Sequence, residues 1–371
     1  MDRIITELYS GFVDKSLPEK QVSDYIVYTQ DGFYFQLAIQ KKIRIDRLKE
    51  HFSKTNINKL YLTLNIEDFN CTSTGLHVEH LDVNFFRDSD PESRKKKYTQ
   101  LENTIVIVNN TFVGMSGMSF YADFYSHCDK TIFVGWDWDN HHWFNMSSFL
   151  AAHTDLYVPA HHENLFLLTR FNWLTIGPVY ASTIQWSKQF LGDHLGEIVS
   201  SQRSDDPLGK HVYYAKFQFR NRIVTTLNQF FTSVGFTERN FHVRSADDRL
   251  EEWCSHKSHW IVPVLNDVTI RIFDALITGG IPIVPESLRF LPPVNAIPKD
   301  YFLFYGPQDI VNPKPLAEKA RELFDKGGRD KLLERHHYAL NNHHVEISIT
   351  EILEYVNSAF NFDAKANYHS G

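Results

Sequence analysis

Hydrophobic positions in the first half of the chain fall into short apolar runs that are separated by polar segments. Five of these runs have the length and the aliphatic and aromatic content that is typical of strands. They lie at residues 59–66, 104–109, 131–135, 155–159 and 173–179. The spacers between them favour helices. Strands that alternate with helices in this way predict a parallel α/β fold.

A second alternation of the same kind follows a hydrophilic interval at residues 200–210. Its predicted strands lie at residues 211–215, 241–244, 260–265 and 281–284. Its predicted helices lie at residues 222–231, 247–254, 269–278, 316–325 and 329–340. A further helix is predicted at 349–360. We therefore predict an N-terminal domain at residues 1–199, a C-terminal domain at 200–345, and a closing helix and tail at 346–371.

Composition supports two folded domains. At 371 residues the chain exceeds the usual size of one domain, and with 43% hydrophobic and 22% charged residues it lies within the globular range. The net charge of -7 argues against a protein that coats nucleic acid, since such proteins normally carry a basic excess. Three widely spaced cysteines favour neither a disulfide framework nor a thiolate zinc site.

No stretch of about 18 residues stays apolar, so the sequence predicts no membrane span. The first residues lack the basic lead and the apolar core of an export signal. We therefore expect a cytoplasmic protein, either free or bound peripherally at the inner face of the cytoplasmic membrane.

The most informative segment, residues 259–285, has the pattern strand, polar turn, helix, Gly-Gly and strand. Arg271 and Asp274 lie three apart on the helix, away from its apolar face. A helix that begins at the carboxyl end of a parallel strand can bind an anion with its first amides, and Arg271 adds a guanidinium fork. Asp274 is then placed to accept from ribose hydroxyls. The alternative is an ordinary crossover with a surface ion pair.

The same residues resemble the donor-binding segment of GT-B glycosyltransferases, whose pattern is Arg-x-x-(Asp/Glu)-Ala-Leu-x-x-Gly-x-(Ile/Val)-Pro-(Ile/Val). The matching positions are Arg271, Asp274, Ala275, Leu276, Gly279, Pro282 and Ile283. The resemblance covers residues 247–344 and is closest to fucosyltransferase-like and exostosin-like members. It implies two facing Rossmann-like domains, a nucleotide-sugar donor bound by Arg271 and Asp274, and a cell-surface or exported glycan or glycolipid as acceptor.

Further donor-binding candidates lie near the ends of C-terminal strands. Lys216, Arg220 and Arg222 surround the start of a predicted helix, where cations can neutralise the departing phosphate. The turn from Asn266 to Thr269 supplies the amides that would face the phosphates. For the basic residues, ordinary solvated surface charge is the alternative interpretation.

Carboxylates and histidines follow two strands of the N-terminal half. Asp137 and Asp139 come directly after one strand and are candidates for the general base that activates an acceptor hydroxyl. His161 and Glu163 follow the next strand, where Glu163 equally fits the first turn of a helix. The two carboxylates with His141 and His142 offer ligands for a transition metal. Adjacent residues on an extended chain point in opposite directions, so all four do not easily converge and a divalent metal is not favoured.

The sequence therefore predicts a glycosyltransferase that needs no cofactor beyond its nucleotide-sugar co-substrate. Three alternatives stay open. The first is a transferase of CMP-linked acidic sugars, of the sialic acid or Kdo kind. The second is a metal-dependent GT-A transferase that uses the Asp-x-Asp at Asp137 and Asp139, and the third is a noncatalytic glycan-binding protein of the same fold.

Overall fold

The computed structural model describes residues 19–57, 59–64, 75–88, 90–180, 182–237 and 244–360. The described residues divide into two compact units. The first holds residues up to 179 together with 350–360, and the second holds 180–349. The sequence pattern instead predicts the boundary between the two units after residue 199. The earlier boundary has a physical reason, because Trp186, Leu191 and Ile198 are buried in a hydrophobic core of the second unit.

The first unit is built on a five-stranded parallel sheet. Its strands are β1 (Lys59–Leu62), β2 (His77–His80), β3 (Thr104–Asn109), β4 (Thr131–Asp137) and β5 (Leu156–Pro159). Their order in the sheet is β2-β1-β3-β4-β5, and every neighbouring pair is parallel. Every residue of β3 and β4 is buried, as expected for strands covered on both faces. The predicted parallel α/β fold is therefore confirmed.

The helices of the first unit precede, connect or follow these strands. They are α1 (Glu19–Phe52), α2 (Pro91–Gln100), α3 (Asn110–Ser116), α4 (Met118–His127), α5 (Phe144–Ala152) and α6 (Leu165–Leu168). The strand predicted at 173–179 is not formed. Only Thr175 bridges to β5, and Pro178 has no amide hydrogen with which to extend the ladder.

A buried ion pair holds α1 against the sheet. Arg44 Nε donates to Asp155 Oδ1 at 2.6 Å, and its Nη2 donates to the carbonyls of Cys128 and Thr131 at 3.1 Å. The other oxygen of Asp155 accepts from the Phe133 amide at 2.9 Å. Because both charges are buried and paired, this contact fixes the position of α1 along the sheet.

The second unit also contains parallel strands. They are β6 (Gly209–His211), β7 (Val234–Phe236), β8 (Ser258–Trp260), β9 (Ile281–Pro285) and β10 (Leu303–Tyr305). One sheet pairs β6 with β7, and another has the order β10-β9-β8. Leu208 joins the two, because its amide donates to Ser258 and its carbonyl accepts from Trp260. The combined order is β7-β6-β8-β9-β10, which is the same serial order as in the first unit.

The helices of the second unit are α7 (Lys188–Asp193), α8 (Leu195–Ser200), α9 (Gln218–Asn228), α10 (Ala246–Cys254), α11 (Arg271–Ile277), α12 (Pro307–Val311) and α13 (Lys314–Asn342). Short 3-10 helices lie at Glu286–Leu288 and Val294–Ala296. The two helices predicted within 316–340 form one long element with a non-helical residue at Gly328. The last helix, α14 (Val345–Phe360), begins in the second unit and ends in the first.

Two predictions from the sequence are tested only in part by the structure. The strand predicted at 241–244 falls almost entirely outside the described residues. Within the described part of the chain, no helix combines the length and the apolarity that a membrane crossing requires. The arrangement of two facing Rossmann-like domains stays a prediction.

Candidate functional site

Asp137 ends β4 at the carboxyl edge of the first sheet. Its side chain is fully buried and accepts from the Tyr157 hydroxyl at 2.7 Å and from the Asp139 amide at 3.0 Å. Burial raises the pKa of this carboxyl to about 6, although the hydrogen bonds from Ser147 and Tyr157 act in the opposite direction. Asp137 is therefore an enclosed carboxyl group that solvent does not reach.

Asp139 lies on the turn that follows β4 and is the accessible carboxylate of the pair, with 30% of its side chain exposed. Oδ2 accepts from Asn110 Nδ2 at 2.8 Å, and Oδ1 lies 3.2 Å from His142 Nε2. Burial raises its pKa, but the bonds from His142 and Asn110 outweigh that effect and leave the pKa below the usual value. Asp139 therefore ionises at a lower pH than Asp137 does.

Three histidine rings meet beside Asp139. The His141 ring centroid lies 4.4 Å from that of His142 and 4.2 Å from that of His161. The chain is not extended here, because the amides of His142 and Trp143 both donate to the Asp139 carbonyl at 3.0 Å. The premise of an extended chain at these residues is therefore wrong. A carboxylate oxygen of Asp139 and a ring nitrogen from each of His141 and His142 all lie within 4.8 Å of one another.

His161 and Glu163 occupy the loop after β5. His161 is buried, its Nε2 lies 3.0 Å from the Trp138 carbonyl, and burial lowers its pKa to about 4, which leaves the imidazole neutral. Asn140 fixes the loop, since its Nδ2 donates to the carbonyls of His161 and Glu163 at 2.8 and 2.7 Å. The next helix begins at Leu165, so Glu163 is not in its first turn.

The second group of predicted residues lies at the carboxyl edge of β6 and β8. Arg271 opens α11 and donates from Nη1 to the carbonyl of Lys210. Arg220 is buried and donates to the carbonyls of Val212 and Val262 at 2.8 and 3.1 Å. Arg220 therefore ties the chain after β6 to the chain after β8 and serves the backbone.

A small cavity lies between Arg271 and the neighbouring strands. It is lined in part by Lys210, Glu252 and Trp253, and its volume of about 10 Å³ has room for about one water molecule. This cavity is therefore too small to enclose a nucleotide.

Asp274 does not lie on the surface of its helix. It is fully buried, its carboxylate accepts from the Gln185 amide group, and burial raises its pKa to about 6. The expected ribose contact is not available to a carboxylate in this position. The reason is that residues 272–277 of α11 are buried on every side, with the segment around Gln185 and Trp186 packed in the same region.

The turn before α11 uses its own hydrogen bonds. The Ile272 amide donates to Thr269, and the amides of Phe273 and Asp274 both donate to Ile270. Asn266 has a left-handed backbone, with φ at 68°, and its side chain accepts from the Ser287 hydroxyl. Thr269 and Asn266 thus shape the turn, and of the turn amides that were expected to face a phosphate, that of Asp267 donates to the Val264 carbonyl at 3.0 Å.

Exposed aromatic side chains on the loop after β6 and at the start of α9 are a feature that the sequence interpretation missed. Tyr213, Tyr214 and Phe219 are 54%, 41% and 75% exposed. Lys216 and Arg222 are exposed on the same segment. The apolar run at 211–215 was interpreted as strand, but the strand ends at His211. The signal that could have found this surface is the close interleaving of aromatic and basic residues at 213–222.

The glycines of the family-like motif have a local structural role. Gly279, with φ at 76°, and Gly280 end α11, because their amides donate to Leu276 and Ala275. A Cβ on Gly279 would lie 2.5 Å from Leu332 Cγ, and one on Gly280 would lie 2.5 Å from His259 Nε2.

Two clusters therefore result, one in each unit. Asp137, Asp139 and His161 are brought together at the edge of the first sheet, whereas Arg220 and Arg271 lie at the edge of the second. Comparison with protein-family models and with curated proteins yields no match for this chain. The topology and the chemistry of these clusters thus carry the functional argument.

Proposed function

We propose that the protein is a glycosyltransferase that moves a sugar from a nucleotide-sugar donor to a hydroxyl group of a glycan or glycolipid. The observation that carries the proposal is the strand order of the second unit. In a sheet of the order β7-β6-β8-β9-β10 the connections reverse direction between β6 and β8. Doubly wound sheets bind nucleotides outside the carboxyl ends of the strands at this reversal point.

The side chains at that edge suit an activated sugar. Tyr213 and Tyr214 offer aromatic faces on which a nucleobase can stack. Lys216, Arg222 and Arg271 provide positive charge for the phosphates, and a preorganised cation stabilises the negative charge that develops on the departing group. The hydrogen bond from Arg271 to the Lys210 carbonyl fixes the orientation of its guanidinium.

The first unit supplies the acid-base groups of the proposal. Asp139 is the accessible carboxylate of the pair, so it is assigned as the base that accepts the proton of the acceptor hydroxyl. Asp137, His161 and Glu163 position the loops around it. Asp274, Asn266 and Thr269 are assigned to the support of α11 rather than to donor contact.

Nucleotide titration tests the donor site. We expect one of GDP, UDP and CMP to bind, measured by calorimetry, and the double variant Lys216→Ala with Arg222→Ala to bind it more weakly. Each charge-assisted hydrogen bond contributes about 1.5–3 kcal/mol, so the loss per cation is roughly 10-fold or more. These side chains are exposed and their removal leaves the core intact. Arg271→Ala should show the same loss.

Arg329→Ala is the matched control, because Arg329 is exposed on α13. Equal nucleotide affinity of the double variant and of this control would refute the donor site. A preference for CMP would favour an acidic-sugar donor. Tight nucleotide binding without release of nucleotide from any donor, over a broad acceptor panel, would replace the transferase by a noncatalytic glycan-binding protein.

The base assignment has its own test. Asp139→Asn should keep nucleotide affinity within error of the wild type and lower turnover, measured as released nucleotide per chain. Loss of a general base typically reduces the rate by about 10²–10⁴-fold. Unchanged turnover would remove Asp139 from the reaction and leave the donor site unaffected.

A further inference from the structure

We infer that Asp139, His141 and His142 form a binding site for one divalent transition-metal ion, for which Zn²⁺ is the probe. The site lies on the turn between β4 and α5 in the first unit. The inference concerns metal binding alone. It does not depend on the proposed donor site in the second unit, but it uses the same Asp139 carboxylate as the proposed base. With an ion bound, Asp139 is a ligand and not the free base, so the inference replaces that assignment and leaves the donor site unaffected.

The distances suit a small ion. One oxygen of Asp139 and one ring nitrogen from each of the two histidines lie within 4.8 Å of one another, and Asp139 Oδ1 and His142 Nε2 lie 3.2 Å apart. Metal bonds of about 2.0–2.2 Å in a tetrahedron place two ligand atoms about 3.4 Å apart. Side-chain rotations that move the atoms by about 1 Å therefore complete the geometry.

The backbone holds these side chains on one side of the turn. The carbonyl of Asp139 accepts from the amides of His142 and Trp143, both at 3.0 Å, so the chain reverses between the carboxylate and the second imidazole. The helix α5 begins directly afterwards, at Phe144. A local turn therefore brings together three ligands that are close in sequence.

A second layer of contacts orients the ligands. Asn110 is buried and donates to Asp139 Oδ2 at 2.8 Å, which leaves Oδ1 directed toward His142. Asn110 also accepts from the Trp138 amide at 3.1 Å, so its amide group is fixed at both ends. The ring of His161 packs against that of His141. Outer contacts of this kind are usual around metal ligands, where they fix the direction of the lone pairs.

The ligand types select the class of ion. Two imidazole nitrogens with one carboxylate oxygen suit Zn²⁺ and its neighbours in the first transition row. Mg²⁺ and Ca²⁺ prefer sites composed of oxygen, so they should compete poorly. Three protein ligands leave a fourth position open, and sites of this kind bind a water molecule or a substrate oxygen there.

Zinc titration of the chelator-treated, full-length protein tests the inference. We expect calorimetry to give one ion per chain, and an excess of Mg²⁺ to leave it bound. His142→Ala and Asp139→Asn should each lower the affinity at least about 100-fold, since loss of an outer contact already costs about 10–100-fold. Asn110→Ala should show that smaller loss. His337→Ala, at an exposed histidine of α13, should bind as the wild type does.

Circular dichroism of each variant checks the fold. If a variant unfolds, the site is tested instead by adding Co²⁺ to the wild type and recording its visible absorption. This absorption reports the coordination of Co²⁺ by nitrogen and oxygen. Absence of such a band would overturn the site, as would equal zinc affinity of the wild type and a folded His142→Ala. Neither result would change nucleotide affinity in the second unit, so a failure here is distinguishable from a failure of the proposed function.

Discussion

Asp137 and Asp139 carry the same functional group in different environments. Asp137 is enclosed beneath the edge of the first sheet, and burial raises its pKa to about 6. Asp139 lies on the turn with a histidine and an asparagine beside it, and its pKa is below the usual value. The two carboxyls therefore ionise in different pH ranges, Asp139 in the more acidic one.

The raised pKa of Asp137 predicts a pH-dependent stability. Because its pKa is higher in the folded state than the ordinary 3.8, its contribution to folding is present at low pH and is lost as the pH rises through about 6. The variant Asp137→Asn has no ionisable group at this position, so it does not show this loss of stability. Relative to the wild type, we expect the variant to gain roughly 1 kcal/mol in free energy of unfolding between about pH 5 and pH 8, measured with urea.

Asp139→Asn is the control for this measurement. The pKa of Asp139 is lowered by folding, so its carboxyl is ionised in both states across that pH range. The difference in free energy of unfolding between Asp139→Asn and the wild type should therefore stay constant as the pH changes. A constant difference for Asp137→Asn as well would contradict the enclosed position of that carboxyl.

For single residues, the sequence predicts position along the chain better than it predicts side-chain contacts. Asp137 and Asp139 could be placed at the carboxyl edge of the sheet from the sequence, because they directly follow an apolar run that predicts a strand. The approach of His141 to His161 depends on the turn hydrogen bonds at Asp139, which the pattern does not contain. The burial of Asp274 depends on a segment about ninety residues earlier in the chain, since its carboxylate accepts from Gln185.

At the scale of elements, fully buried strands are the easiest to predict. Both β3 and β4 follow from uninterrupted apolar runs, because both of their faces are covered. The predicted strand at 211–215 is less accurate, since its aromatic residues lie exposed beyond the end of β6. The predicted helix at 269–278 is formed only as α11, because the turn before it takes up its first residues.

The end of α11 gives an element-scale prediction. Alanine at Gly279 must adopt a left-handed backbone and place its Cβ against Leu332, and alanine at Gly280 meets the ring of His259. Left-handed strain alone costs about 1–3 kcal/mol. We expect Gly279→Ala and Gly280→Ala each to lower the free energy of unfolding by at least about 1 kcal/mol in urea denaturation.

Gly192→Ala provides the comparison. Gly192 lies within α7, and a Cβ there has nothing within 4 Å. Alanine is favoured over glycine inside a helix, so this variant should gain about 0.5–1 kcal/mol. If all three substitutions had the same effect, the close packing at the end of α11 would not matter for stability.

At the scale of the whole molecule, the alternation of strands and helices is predictable, but the strand order is not. The serial order is the same in both units, and in each the first strand lies between the second and the third. That choice depends on which helix covers which face, which the periodicity of a single segment does not determine. The division at 179 likewise depends on contacts between distant segments.

Buried histidines predict instability in acid. Burial lowers the pKa of His153 to about 3 and those of His161, His343 and His344 to about 4. A group whose pKa is lowered by folding contributes stability above its ordinary pKa of 6.5, and this is lost as the pH falls toward the folded value. Each of these histidines therefore lowers the free energy of unfolding by about 2 kcal/mol when the pH falls from 6.5 to 5.

Two buried carboxyls with raised pKa values, those of Asp137 and Asp274, act in the opposite direction, but they are fewer than the histidines and their pKa values are shifted less. The net expectation is a urea midpoint that falls steeply below about pH 6.5. A midpoint that is flat from pH 7.5 to pH 5 would show that these imidazoles are accessible to protons in the folded state.

The last helix has a consequence for synthesis. Residues 350–360 belong to the first unit, and Ile352, Val356 and Phe360 are buried there, yet all of residues 180–349 precede them. A ribosome makes the chain from the amino end, so the whole second unit emerges before the first has its final segment. The first unit can therefore be completed only after the whole of the second unit has been synthesised.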